Sequence, residues 1–309
     1  MDRQPCRFCA GAPLGILAGH GSFPRNAAGG RVTGEEREAA AIIRECRREL
    51  AENAGTSVRE AMRDAPDIAG EPVPWYRYPE GEVYDPASHA QYFYHCHPAA
   101  AAPREGSFGG DRAGLVEHGH FHLFLRAEGM PRGVSPLVFP EQAVVRADAP
   151  TPPQAAPVKR GASDRVAHLV AVAVDAHGGP VRLFTTNRWV TGETWYRGAD
   201  VVRMLDRFTL SGAGPAPLLD CWLTALVRLY RPEIEWLIQR RDEAVAKWRW
   251  LWPRRGNVLE DSRLEITSHL DIDLDARLAE IDRRASTPRV AIAARRRAGL
   301  PNMADGWGA

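Results

Sequence analysis

Five of the ten histidines of this chain fall between positions 95 and 122, and they come in two sets: His95 and His97, then His118, His120 and His122. Within each set the spacing is two. On a β-strand, residues two apart point to the same side. His95 and His97 are therefore expected to share one face, and His118, His120 and His122 to share another. If the two segments pair in a suitable register, up to five imidazoles line one patch. Imidazole nitrogen suits zinc, iron and copper, and three protein ligands with one open position is the usual catalytic arrangement. A mononuclear, histidine-ligated metal site is the chemistry these residues point to, with the metal left open among Zn, Fe and Cu. Metal-free acid–base chemistry is the competing use of the same side chains, because histidine titrates near neutral pH.

Other ligands fit the pattern less well. Strict alternation puts Glu117 on the face opposite His118, so it joins the site only if Gly119 marks a bulge that re-aims its neighbours. Glu105 and Glu128 are looser carboxylate candidates. Cys96 alternates away from His95 and His97, together with Tyr92 and Tyr94, and is expected to pack in the core. Arg126 falls on the histidine side and is a candidate for holding a substrate carboxylate or phosphate by paired hydrogen bonds. Asn187, Arg188 and Glu193 lie in a polar and aromatic stretch, Thr185–Trp195, and are candidate substrate contacts. Local turn hydrogen bonds explain that composition equally well.

Both strand segments are written in β-forming residues. Tyr92–His97 stops at Pro98, and Glu117–Phe124 follows a glycine-rich connection. Gly114-x5-His120-x-His122 resembles the opening of the first cupin motif, a metal-binding signature of small β-barrels. Glu128 follows later than the acid of that motif, and no second motif is present. The pattern Tyr-x-Tyr-His-x-His with Glu-His-Gly-His-Phe-His-Leu-Phe is similar to an uncharacterised bacterial family, a resemblance that implies no activity.

The elements that must hold these strands are also legible. Thr33-Gly-Glu-Glu36 is a capping box, and Ala39, Ile42, Ile43, Cys46 and Leu50 follow at helical spacing. Ser57-x-x-Glu60 opens a second, short helix that Pro66 ends. Trp75–Pro86 reads as an extended segment lying on the core. His168–Val174 is a continuous apolar run suited to a strand buried on both faces, and the turn at 175–179 returns the chain into Val181–Thr186 as a hairpin. Leu218–Tyr230 and Ile234–Trp252 keep helical period, with Pro232 near the start of the second, where its missing N–H costs nothing. Arg263–Asp271 alternates as a last strand and Leu274–Arg284 reads as a last helix. The expected fold class is α+β, a mostly antiparallel sheet flanked by helices. It is expected as a single domain over 33–285, with a Pro-rich internal loop at 148–163, an N-terminal tail at 1–32 and a C-terminal tail at 286–309.

Bulk properties narrow the classes. The 309 residues are 44% hydrophobic and 26% charged, ordinary for a protein with a sizeable core. Forty basic residues face 39 acidic ones, so no basic surplus points to nucleic acid. No run approaches the ~18 apolar residues of a membrane span. The N-terminal stretch Ala10–Gly19 is broken by Pro13 and lacks a clean cleavage site, so the cytoplasm is the expected location. Five cysteines, an odd number, argue against a disulfide framework. Cys6-x-x-Cys9 is half of a zinc pair without its second half. Lys247–Arg255 mixes Trp and Arg, but helical spacing puts Trp248 and Trp252 on the stripe of Val245 and favours packing. Three functions remain in view. The first is a metal-dependent enzyme activating water or dioxygen on a small-molecule substrate. The second is a non-catalytic metal-binding protein for storage, delivery or sensing, and the third an interaction protein whose histidines are structural.

Overall fold

The computed structural model describes residue 23 and residues 32–53, 55–63, 76–97, 117–139, 165–253 and 256–286. Its centre is a six-stranded sheet: β1 (Tyr78–Tyr84), β2 (Ala90–Cys96), β3 (Gly119–Arg126), β4 (Val166–Val174), β5 (Pro180–Thr186) and β6 (Ile266–Asp271). The strands lie side by side in chain order and every neighbouring pair is antiparallel. With helices α1 (Gly34–Glu52), α2 (Ser57–Ala61), α3 (Arg188–Thr191), α4 (Gly198–Leu205), α5 (Pro217–Leu229), α6 (Arg231–Leu251) and α7 (Leu274–Ser286), the fold is α+β. Among the described residues the sheet is a meander with two ends, not the closed barrel that the cupin resemblance implies.

The two faces of the sheet are chemically different, and alternation is the reason. Tyr92, Tyr94 and Cys96 of β2, Phe121, Leu123 and Leu125 of β3, and Val170, Val172 and Val174 of β4 belong to one core. The helices cover that side with Ile43 and Cys46 of α1, Leu219, Trp222 and Leu226 of α5, Leu237 of α6 and Leu278 of α7. Burying an apolar side chain of this size contributes about 1.5–3 kcal/mol, so this layer supplies the main driving force. The intervening residues, among them His95, His120 and His122, face the other way.

Local chemistry sets the helix ends. Thr33 accepts a hydrogen bond from Glu36 N–H while Glu36 accepts from Thr33 N–H, so the capping box at the start of α1 is formed. Pro232 stands in the first turn of α6, where it needs no donor. Within the extended segment Trp75–Pro86, Tyr78–Tyr84 forms β1, an edge strand of the sheet. Trp248 is buried beside Val245 and Trp195, while Trp252 lies at the helix end, half in solvent, with Arg263 stacked over both rings. Among the described residues no helix is long and apolar enough to cross a membrane. Cys6, Cys9, Glu105 and the Pro-rich loop 148–163 lie outside the described residues, as do nearly all of the tail 1–32 and all of the C-terminal tail beyond Ser286.

Candidate metal centre

The register of β2 on β3 decides what the histidines can do. His95 lies directly across from His120, Phe93 across from His122, and no shift interrupts the pairing. Residues directly opposite on antiparallel strands carry β-carbons roughly 4.5–5.5 Å apart, close enough for two imidazoles to meet one ion. The ring centroids of His95 and His120 are 4.0 Å apart, those of His120 and His122 4.8 Å, and those of His95 and His122 5.3 Å. One ring nitrogen from each of the three lies within 4.8 Å of the other two, a grouping that can hold a metal ion. The three residues are 5%, 8% and 1% exposed, so the centre is enclosed.

Space for the rings comes from the next strand. Ala173 stands opposite His120 and Ala171 opposite His122, so the residues paired with them on β4 leave room for the imidazoles. Phe184 of β5 closes one side, 4.9 Å from the His120 ring, and Phe93 of β2 closes another, 5.0 Å from the His122 ring. The walls are aromatic and the lining is imidazole.

Two of the three rings are oriented from behind. His120 Nδ1 is 2.7 Å from Glu117 Oε1, and His122 Nδ1 is 3.1 Å from His168 Nε2. Metal-ligating histidines commonly commit one ring nitrogen to a carboxylate or other acceptor, which fixes the tautomer and leaves the second nitrogen for the ion. His168 is itself held: its Nδ1 is 3.4 Å from Thr186 Oγ1, and its backbone N–H donates to Glu193 Oε2 at 2.6 Å. Glu193 is thus built into the wall behind His168 and not into the imidazole triad.

The electrostatics favour neutral ligands. Burial, then the neighbouring His120 and His97, push His95 well below the ordinary histidine range. Burial acts first on His122 as well, with His120 and His168 adding to it. Burial lowers His97 to about 4, helped by His120 and opposed by Glu117. Burial and Arg241 take His168 to about 3. Burial alone would raise Glu117, but the hydrogen bond with His120 and the charges of His120, His97 and Arg182 hold it below its usual value. Glu193 goes the other way, pushed up to about 7 by burial against the pull of Arg241. At neutral pH His95, His97 and His122 therefore offer imidazole lone pairs beside the anionic Glu117 carboxylate, a donor set that borderline divalent ions take.

Three positions differ from the alternation argument. His118 is turned away from the cluster: its Nδ1 is 2.6 Å from Tyr94 Oη and the two rings are nearly parallel, 10° apart. Gly119 makes this possible, because the absence of a β-carbon there lets the Tyr94 ring cross the strand to reach His118. Glu117 reaches His120 without any bulge in the β2–β3 pairing. It precedes the first residue of β3, so strand alternation does not govern it. His168 was not among the expected ligands, yet it contacts His122. A register shift between Leu123 and Phe124, where Leu123 pairs with Val170 but Phe124 pairs with His168, turns it onto the histidine face.

The remaining candidates sit elsewhere. Arg126 donates from Nε to the Gln91 amide oxygen Oε1 at 2.5 Å and lies over the Tyr84 ring, at the far end of β3 from His120. Asn187 caps α3, accepting from Arg188 N–H and donating to Val258 O. Arg188 pairs with Glu260. Glu128 lies in a short 3-10 turn after β3. Cys96 is buried in the core opposite the histidines.

A family model described as a domain of unknown function, DUF6969, matches residues 37–272. The chain belongs to that family. The matched span contains every residue of the histidine cluster, so the centre lies within the DUF6969 domain itself. No curated protein and no solved structure matches the chain.

Proposed function

We propose that this DUF6969 protein is a metal-dependent enzyme in which His95, His120 and His122 hold a single zinc, iron or copper ion that activates water or dioxygen on a small-molecule substrate. The observation that carries the reading is the triad itself: three imidazoles from two paired strands, two of them oriented by Glu117 and His168. Three ligands rather than four leave a position for an exogenous molecule. The ion would supply Lewis acidity or, for iron or copper, redox capacity. The protein's share is a fixed donor set, a dry aromatic wall from Phe93 and Phe184, and the Glu117 carboxylate beside His120 as a proton acceptor.

A second reading, a protein that binds metal for storage, delivery or sensing, draws on the enclosure of the three ligands. One experiment separates the two. The metal-free chain is titrated with Co2+ and its visible spectrum followed, and azide is then added to the loaded protein. The enzyme reading expects one equivalent bound and bands that shift with azide, because the open position takes the anion. One equivalent with a spectrum indifferent to azide favours the closed, non-catalytic site. A His120→Ala, His122→Ala variant that keeps its far-ultraviolet spectrum and still binds Co2+ at full stoichiometry sinks both.

A further inference from the structure

His120 belongs to two sets of possible ligands. Beside the inner triad, His97, Glu117 and His120 also place one donor atom each within 4.8 Å of one another. The two sets lie end to end along β2 and β3, and their exposure differs in order. The side chains of His97, Glu117 and His120 are 22%, 15% and 11% exposed, whereas His95 and His122 are 5% and 1% exposed as residues. We propose that His97, Glu117 and His120 form an outer station at which a divalent transition-metal ion first binds before it passes to the inner triad. The inference rests on the reading of the inner triad as the metal centre.

The chemistry of His120 makes the two stations successive. Its Nδ1 is 2.7 Å from Glu117 Oε1, and His97 Nε2 is 3.8 Å from the same oxygen. An ion at the outer station would be held by His120 Nδ1, Glu117 Oε1 and His97 Nε2, with the single ring proton of His120 passed through solvent from Nδ1 to Nε2. For the ion to pass inward, the proton would leave Nε2 for solvent as one returns to Nδ1, the hydrogen bond with Glu117 would re-form, and the ring would offer Nε2 to the inner set. A neutral imidazole has one lone pair to give, so His120 serves one station at a time. The ring contacts support a short passage: His97 and His120 have centroids 5.0 Å apart, and His120 and His95 4.0 Å. The outer set mixes a carboxylate with imidazole and is more exposed, which suits capture from water. The inner set is all imidazole and more deeply buried, which suits retention.

The test is the rate at which the metal-free full chain takes up Co2+, followed by stopped-flow absorbance, beside equilibrium titration against a competing chelator. His97→Asn keeps a polar side chain at the mouth, and His97→Ala is the second variant. Both are expected to load about tenfold more slowly than the unaltered chain, with one equivalent still bound and affinity within about threefold. His95→Ala, by contrast, is expected to lose affinity outright. Loading of both His97 variants at the unaltered rate overturns the outer station, and so does stable binding of two equivalents by the unaltered chain. Failure of the unaltered chain to bind Co2+ is a different result, which removes the metal centre itself.

Discussion

The most informative side chain for testing the centre is one that touches no ion. His168 holds the Nδ1 side of His122 and is held in turn by Thr186 and Glu193. Its role is to fix which nitrogen of His122 faces the triad. Partners of this kind typically change metal affinity about 10–100-fold when removed. His168→Ala is therefore expected to weaken Co2+ or Zn2+ binding by about that factor while stoichiometry stays at one, as read by chelator competition. Thr186→Val, one bond further out, should weaken it less. Equal affinity in His168→Ala and the unaltered chain would mean that His122 is oriented by packing against Phe93, Phe124 and Phe184 without help from His168. His168 also marks a limit of sequence reading. Counting by twos from Val170 puts His168 with the apolar core, and only the register shift opposite Leu123 and Phe124 reverses it. A one-residue irregularity of this sort leaves no signature in a run as uniformly apolar as Val166–Val174.

At the scale of elements, what was legible follows from how each element is specified. β2, β3, the β4–β5 hairpin and the long helices were readable because period and burial agree along them. The pairing His95 to His120 needed only that β2 and β3 be neighbours with their apolar residues inward. β1 was harder to see, since an edge strand is paired on one side only and carries a weaker pattern. Alternation fails for Glu117 and His118 because both lie just outside β3, where a side chain follows its partner and not the pleat. Gly119 is the hinge of that arrangement. A β-carbon there would fall inside contact distance of both His95 O and Tyr94 Oη. Gly119→Val is expected to cost about 1–3 kcal/mol by urea unfolding, the usual price of overpacking a buried site. It should also release His118 from Tyr94, which a change in the His118 ring resonances would report.

The turn between β1 and β2 gives a second prediction at this scale. Asp85 accepts hydrogen bonds from Ala87 N–H at 2.8 Å and Ser88 N–H at 3.1 Å, and from Ser211 N–H in the chain leading to α5. Burial works to raise its pKa, but these bonds, Ser211 foremost, outweigh it and hold the carboxyl at about 2. A depressed carboxylate contributes stability that is complete above its unfolded value of 3.8 and is lost as pH falls towards about 2. The contribution at neutral pH is about 2 kcal/mol. Asp85→Asn should therefore be less stable than the unaltered chain at pH 7 by about that amount, with the gap narrowing between pH 4 and pH 2.5. A gap independent of pH in urea unfolding would show that the charge of Asp85 does not matter to the turn.

For the molecule as a whole, the helices of one face hold the sheet, and the sheet holds the centre. α1, α5, α6 and α7 bury the Tyr92–Tyr94–Cys96 side, so the strands that carry His95, His120 and His122 are fixed from behind. If the proposed centre binds metal, binding and folding are coupled, because the unfolded chain keeps none of the register that brings the three rings together. An ion bound only by the folded state at about 100 times its Kd adds about 2.7 kcal/mol of stability. For a domain of this size each kcal/mol moves Tm by about 2–4 °C, so a rise of roughly 5–10 °C is expected when Zn2+ replaces chelator during calorimetry. The His120→Ala, His122→Ala variant should show no such rise, although its metal-free Tm will already be lower. The coupling also runs the other way. Because the proposed ligands come from two neighbouring strands and not from one flexible loop, a substitution far from the histidines that loosens β2 against β3 should weaken metal binding. Leu226→Ala in α5, which removes packing behind the sheet, is the variant that tests this, and it should lower Tm by several degrees and metal affinity together. Loss of Tm with affinity unchanged would place the rigidity of the centre within the two strands themselves.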